Sequence, residues 1–340
     1  MKKTTFQKFA GLICLLVISL LSFSKVALAE ETDENQIGYH IYAIPAPNQV
    51  GEKDSFFNLR MQPGQEQTIE FVIANTSDED QSYQLSLNQA YTNTQGYIDY
   101  SEKKTLPAID ESYTIDKIAV LSDEITVPKQ STKQVPITLT MPEKEFDGEI
   151  LAGIRVIKQG KKQKTESISN EYGYILGLRL TESDKELKRE IQLKSVKPAV
   201  SFGKTSIAVE LLNPIMESYG NLNYQAKIIN KKNRDNSKEK NFTGLEMAPN
   251  SLYKFAFDWD GERLVAGKYQ LELTITDKKD NKWVFNEAFT IEPQSAAKVN
   301  KVVVGNQGLP LSKILIGIIL LILVVGIVGY YAWRKKKKIK

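Results

Sequence analysis

Residues 314–333 run for twenty positions without a charge, mostly Ile, Leu, Val and Gly, and then break into Arg334-Lys335-Lys336-Lys337-Lys338-Ile339-Lys340. At about 1.5 Å rise per residue a helix of that length is roughly 30 Å long, the thickness of the hydrocarbon core of a bilayer. Lipid admits such a run only as a helix, because every backbone polar group has to be satisfied internally. The sequence therefore predicts one membrane-spanning helix over 311–333 with a basic cytoplasmic tail at 334–340, since Lys and Arg beside a span favour the cytoplasmic side. Tyr330, Tyr331 and Trp333 stand where an interfacial aromatic belt is expected. Gly317, Gly326 and Gly329 form no Gly-x-x-x-Gly pair, so no dimer is read from them.

At the other end, Lys2, Lys3 and Lys8 precede an apolar run over 9–21, and Ala27-Leu28-Ala29 supplies small residues for cleavage. Residues 1–29 read as a secretory signal peptide, so the intervening domains are expected outside the cell membrane. Removing them also removes Cys14, the one cysteine of the chain. An exported chain without disulfides must be held together by its cores, as in bacterial surface proteins. With the four Lys of 1–29 and the seven Lys/Arg from Lys313 onward set aside, 34 cations face 41 anions, so 30–309 is acidic. Nucleic acid is not an expected partner, because its binding needs a clustered basic footprint.

Between the two membrane signals the apolar residues recur with period two. Ile69, Phe71 and Ile73 alternate, as do Tyr83, Leu85 and Leu87, and Val135, Ile137, Leu139 and Met141. Pro136 inside the last run predicts an edge strand. Residues 149–158 and 172–180 read as paired strands joined by a solvated loop, which ends the first domain near Ser183. Ile207, Val209 and Leu211, then Tyr253, Phe255 and Phe257, then Tyr269, Leu271, Leu273 and Ile275 repeat the pattern. Asp277-Lys278-Lys279-Asp280-Asn281 predicts a hairpin turn, and the charged 231–240 a long exposed hairpin loop. The expected architecture is all-β: two antiparallel β-sandwiches over 36–183 and 187–293, then a flexible spacer over 294–310.

Catalytic chemistry has little to work with. His40 is the one histidine and has no obvious second partner, so no catalytic residue, cofactor or metal is expected. Scattered carboxylates leave a wall-modifying glycosidase as an alternative. Asp258-Trp259-Asp260-Gly261 carries half of a calcium loop but lacks the later ligands, and reads as a tight turn. Leu309-Pro310-Leu311-Ser312-Lys313 departs from a sortase signal at Ser and Lys, so no covalent attachment to the wall is expected. The stretch 90–100 concentrates Tyr91, Tyr97 and Tyr100 around Asn93 and Gly96. Aromatic faces with amide donors suit sugar rings and amide-bearing peptides, whereas a strand–turn–strand would use the same tyrosines as core. The candidate binding residues are Tyr91, Asn93, Tyr97 and Tyr100 in the first domain and Trp259 in the second.

These residues resemble a family. Pro47-Asn48-Gln49, Pro63-Gly64, the stretch 90–100, Met141-Pro142 and Phe146-Asp147-Gly148-Glu149-Ile150-Leu151-Ala152-Gly153 are similar to the first domain of the WxL-interacting surface proteins of Gram-positive bacteria. Asn213-Pro214, Met247-Ala248-Pro249-Asn250-Ser251, Ala266-Gly267-Lys268-Tyr269 and Trp283-Val284-Phe285 resemble the second. Ala152 departs from the pattern, where a second glycine is expected. The resemblance implies two tandem immunoglobulin-like domains, the first a peptidoglycan-binding type and the second a type that binds host extracellular matrix proteins. The implied role is a membrane-held partner for secreted WxL proteins, without catalysis. A host adhesin independent of WxL proteins is a further alternative.

Overall fold

A computed structural model describes residues 37–51, 56–103, 111–159 and 173–305. The signal peptide, the loop 160–172 and the expected span lie outside these residues. Among the described residues no helix is long and apolar enough to cross a membrane. Contacts divide the chain into Met1–Tyr39 and His40–Lys340, and the β-strands belong to the latter unit but for Tyr39 at their start.

The first module pairs two sheets. One has the order β1-β3-β9-β7, with β1 at Tyr39–Ala43, β3 at Glu66–Asn75, β9 at Ser131–Thr140 and β7 at Ala119–Val120. The other has the order β2-β11-β10-β4-β8, with β2 at Phe57–Arg60, β11 at Gly173–Thr181, β10 at Glu149–Lys158, β4 at Gln81–Gln89 and β8 at Glu124–Val127. Successive side chains of a strand point to opposite faces. The alternating residues Ile69, Phe71, Ile73, Val135, Ile137 and Leu139 are accordingly buried on one sheet, facing Tyr83, Leu85, Ile154 and Val156 on the other. Beyond β9, β7 pairs only with Thr138 and Leu139, so Pro136 sits where no further strand needs its missing N–H. A two-strand hairpin, β5 at Tyr91–Thr92 and β6 at Ile98–Asp99, and a short helix α1 at Ile115–Ile118 complete the module.

The second module also has two sheets. One has the order β12-β13-β16, with β12 at Gln192–Ser201, β13 at Lys204–Asn213 and β16 at Ser251–Asp258. The other is β15-β14-β17-β18, with β14 at Tyr219–Asn230, β15 at Lys238–Met247, β17 at Gly267–Thr276 and β18 at Lys282–Ile291. Both contribute to one core, in which Val209, Leu211, Phe257, Tyr224, Leu271 and Ile275 are fully buried. The predicted β17–β18 hairpin forms around Asp277, whose Oδ1 accepts the N–H groups of Lys279 and Asn281, each at 2.9 Å.

Two expectations need correction. The charged hairpin loop spans only 231–237, because Lys238–Met247 pairs with β14, continuously from Lys238 to Phe242 and then through two register shifts. The expected spacer is instead a helix, α2, at Pro293–Gly305. Pro293 suits a first helical position, while Ala296, Val299 and Asn300, at helical spacing, are buried against the core. Asn300 fixes the helix by accepting from Leu264 N and donating to Leu264 O, both at 2.8 Å.

Candidate functional site: the module junction and a polar groove

The stretch rich in tyrosine is a hairpin in which Tyr91 is buried and Tyr97 exposed. Asn93 Oδ1 accepts the N–H groups of Gln95 and Tyr97 at 3.0 and 3.1 Å, so this candidate holds the turn of the β5–β6 hairpin. Gly96 supplies the left-handed residue the turn needs, at φ 87°. The hairpin then docks on the second module: Glu246 N donates to Gly96 O at 2.7 Å, and Glu246 Oε2 accepts Ile98 N at 2.9 Å. Ala248 N donates to Thr92 Oγ1 at 2.9 Å. A Cβ on Gly96 would meet Leu245 Cδ2 at 2.8 Å and Tyr253 Oη at 2.9 Å, so the approach also requires glycine.

Gly148 and Glu149 make a second contact. Glu149 N donates to Met216 O at 2.5 Å, and the Glu149 carboxylate accepts Ser218 N at 2.8 Å and Arg179 Nε at 2.5 Å. The segment between the modules is held as well. Arg189 donates to Glu217 and Asp277, each at 2.7 Å, and its guanidinium lies 4.8 Å from the centre of the Tyr219 ring. Burial opposes the charge of Asp277, but the bonds from Asn281 and Arg189 outweigh it and hold the carboxyl below its ordinary range. A cleft of about 430 Å³ remains beside this contact, lined by Glu149, Arg179, Lys185, Glu217 and Lys279 among others.

Three of the candidate residues serve the fold itself. Tyr91 is 2% exposed and Trp259 fully buried, both because they are large apolar bodies on inward-facing positions, Trp259 packing against Phe257 and Tyr269. Asn93 is occupied by its own turn. Tyr97 is 49% exposed. Tyr100 is half-buried over Gly153, where an added Cβ would meet its Cβ at 2.5 Å. Burial first, then the carboxylates of Glu149 and Glu246, push the Tyr100 phenol up to about 12.

Next to Tyr100 lies a groove of about 400 Å³ on the outer face of the β2-β11-β10-β4-β8 sheet, lined by Gln84, Ser86, Asn88, Lys103, Asp123 and Arg155 among others. Register explains the cluster: Arg155 pairs with Ser86, and Gly153 with Asn88. Asn88 Nδ2 donates to Tyr100 O at 2.7 Å, which fixes the amide, and its buried Oδ1 has no partner among the described residues. A buried acceptor left unpaired costs about 1–3 kcal/mol, so a bound N–H or O–H would be favoured there. Arg155 and Lys103 form no ion pair among the described residues, leaving two cations for an acid group. These residues were missed from the sequence, although Gln84, Ser86 and Asn88 follow from the alternation that places Tyr83 and Leu85 inside.

Two family models match the chain in order. The WxL Interacting Protein, peptidoglycan binding domain, matches residues 39–158, and the WxL Interacting Protein, host binding domain, matches 163–301. The chain belongs to the WxL-interacting protein family. In this WxL-interacting protein the hairpin and the groove side chains of β4 and β10 fall within the first match, and the docking strand β15 within the second. The second match also takes in β11, which is hydrogen-bonded between β2 and β10 of the first module. No curated protein matches the chain. Solved structures that overlap it include the class 5 fimbriae chaperone CfaA, at 13% identity over 75% of this chain and 99% of that one, with a TM-score of 0.29. The E. coli chaperone DraB overlaps at 14% identity over 75% of this chain and 98% of its own, with a TM-score of 0.26. A PapD-like domain of human CEP192 does so at 14% over 44% and 88%, with a TM-score of 0.26. Likeness that weak carries no argument about fold or function.

Proposed function

We propose that this WxL-interacting protein is a membrane-anchored surface protein that binds wall polymer through its first module and presents its second to a WxL protein or a host matrix protein. The observation that carries the reading is the ordered pair of family matches, both to binding domains. The proposal includes export by a signal peptide at 1–29, a single span at 311–333 with the tail in the cytoplasm, and immunoglobulin-like modules with their boundary at 183–187. The sequence supports the anchoring by the uncharged run and the cations that follow it.

The groove is the best place for the wall polymer. Peptidoglycan offers acetamido and peptide N–H groups together with carboxylates. Asn88 Oδ1 supplies an acceptor, Gln84 and Ser86 further polar groups, and Arg155 and Lys103 the positive charge. Arg binds a carboxylate with a planar pair of donors, which gives orientation as well as energy.

The test is a pull-down of the protein with insoluble peptidoglycan, using Arg155→Ala with Lys103→Ala. Loss of one or two charge-assisted bonds should weaken binding by about tenfold or more. Unchanged affinity in the double variant would remove the groove from the proposal. No binding by the wild-type protein would remove the wall-polymer role itself, and release of soluble fragments would replace binding with hydrolysis.

A further inference from the structure

Strand direction sorts the residues of the second module between two ends. β12, β14, β16 and β18 all run away from the first module. At the far end lie the β12–β13 turn, the 231–237 loop, the 259–266 segment and α2. Hydrogen bonds and ion pairs join these pieces: Lys231 N donates to Lys268 O at 3.0 Å, Trp259 N to Thr205 O at 2.9 Å, and Lys238 Nζ reaches Glu262 at 2.8 Å.

The β12–β13 turn carries an unexplained ring. Phe202 and Gly203 have φ values of 47° and 70°, the left-handed pair of a two-residue hairpin turn. Asn or Gly adopts that conformation readily, whereas a bulky side chain at positive φ is strained. Phe202 is nonetheless 72% exposed, and Val265 is 51% exposed at the same end. The strain is not compensated by burial in the core, so it points to a contact outside the described chain.

Charge at this end is mixed but net positive, with Asp235 exposed beside Arg234. Lys238 and Lys240 hold Asp260, Lys238 also holds Glu262, and Lys204 lies 3.6 Å from Asp258. Lys231, Lys232, Arg234 and Arg263 are exposed and form no ion pair among the described residues.

We propose that this end of the second module lies against an anionic lipid surface, with Phe202 and Val265 entering the headgroup layer and Lys231, Lys232 and Arg234 facing lipid phosphates. The inference rests on the membrane anchoring proposed above. Eight residues, 306–313, separate α2 from the uncharged run. Fully extended they reach at most roughly 28 Å, so the span proposed at 311–333 would keep this end close to the bilayer. Basic side chains around exposed apolar ones are the composition that binds at such an interface.

The test uses the processed chain, residues 30–340, in liposomes of phosphatidylglycerol and phosphatidylethanolamine, with a spin label on Phe202→Cys, since removal of 1–29 leaves no other cysteine. A second label on Val120→Cys, 73% exposed on the first module, serves as the reference. The expected result is loss of relaxation by a water-soluble nickel chelate at position 202 but not at 120. Replacing Lys231, Lys232 and Arg234 by Glu should restore that relaxation. If the chain floats with the liposomes while label 202 remains as open to the chelate as label 120, lipid contact is overturned and anchoring stands. If the unlabelled chain does not float, anchoring fails and the inference with it.

Discussion

Glu149 and Ser218, 69 residues apart in sequence, meet across the module junction, where the Glu149 carboxylate accepts the Ser218 N–H at 2.8 Å. Its other oxygen takes Arg179 at 2.5 Å, so one nearly buried carboxylate ties β10 and β11 to the entry of the second module.

Glu149→Ala should loosen that tie. Two charge-assisted bonds are lost, while Arg179, 41% exposed, can turn to water instead of being stranded. The expected loss is about 1.5–3 kcal/mol of unfolding free energy, measured by urea denaturation. Small-angle scattering should also show a wider distribution of module arrangements. An unchanged denaturation midpoint would mean that the contact contributes nothing to stability.

Glycine replacement separates backbone strain from junction contact. Gly148 has φ 102°, and a Cβ there would collide with Met216 O. Gly203 has φ 70° with open space around it. Gly203→Ala should cost about 1 kcal/mol, the left-handed penalty alone. Gly148→Ala should cost roughly 2 kcal/mol or more. Equal losses in a calorimeter would show that the close approach is relieved at no cost.

Tyrosine variants need reading against burial. Tyr91→Ala and Trp259→Ala empty core positions and should each cost about 3–5 kcal/mol. Tyr97→Ala, at a half-exposed position, should stay within about 0.5 kcal/mol. Any ligand affinity lost in the first two should therefore follow their unfolding curves, and binding assays run beside circular dichroism will separate the effects.

Acid should weaken the second module through Asp277. Burial opposes the charge of its carboxyl, yet Asn281 and Arg189 hold the group low in the fold. The unfolded group titrates near 3.9, roughly the ordinary Asp value. The stabilisation is therefore complete above that pH and is lost as pH falls through the lower folded value. Asp277→Asn should be less stable than wild type at pH 7 and lose less on acidification to about pH 3. Parallel acid dependence of the two proteins, followed by tryptophan fluorescence, would assign the sensitivity to other carboxylates.

How far the sequence could be read varies with the distance over which each feature is determined. Ile207, Val209 and Leu211 declare their buried face through a spacing of two residues, and all three are fully buried. Ala296, Val299 and Asn300 were harder, because a short run with weak contrast between its faces says little until a core is there to receive it. Tyr91 and Tyr97 stand six positions apart in one hairpin, yet one is core and the other half-exposed. Aromatic side chains serve either purpose, and composition does not choose between them.

By itself the sequence determined the all-β class, the turns and much of the strand alternation, because side-chain alternation and left-handed turn residues are local properties of a chain. It also contained the residues of the WxL-interacting family in their order. Only the tertiary structure decided that the 90–100 stretch docks on Glu246 and Ala248, 148 and 156 positions from Ile98 and Thr92. It also decided that Asn88 and Arg155 share a groove. Contacts across such separations depend on how whole sheets pack, and no local pattern encodes them.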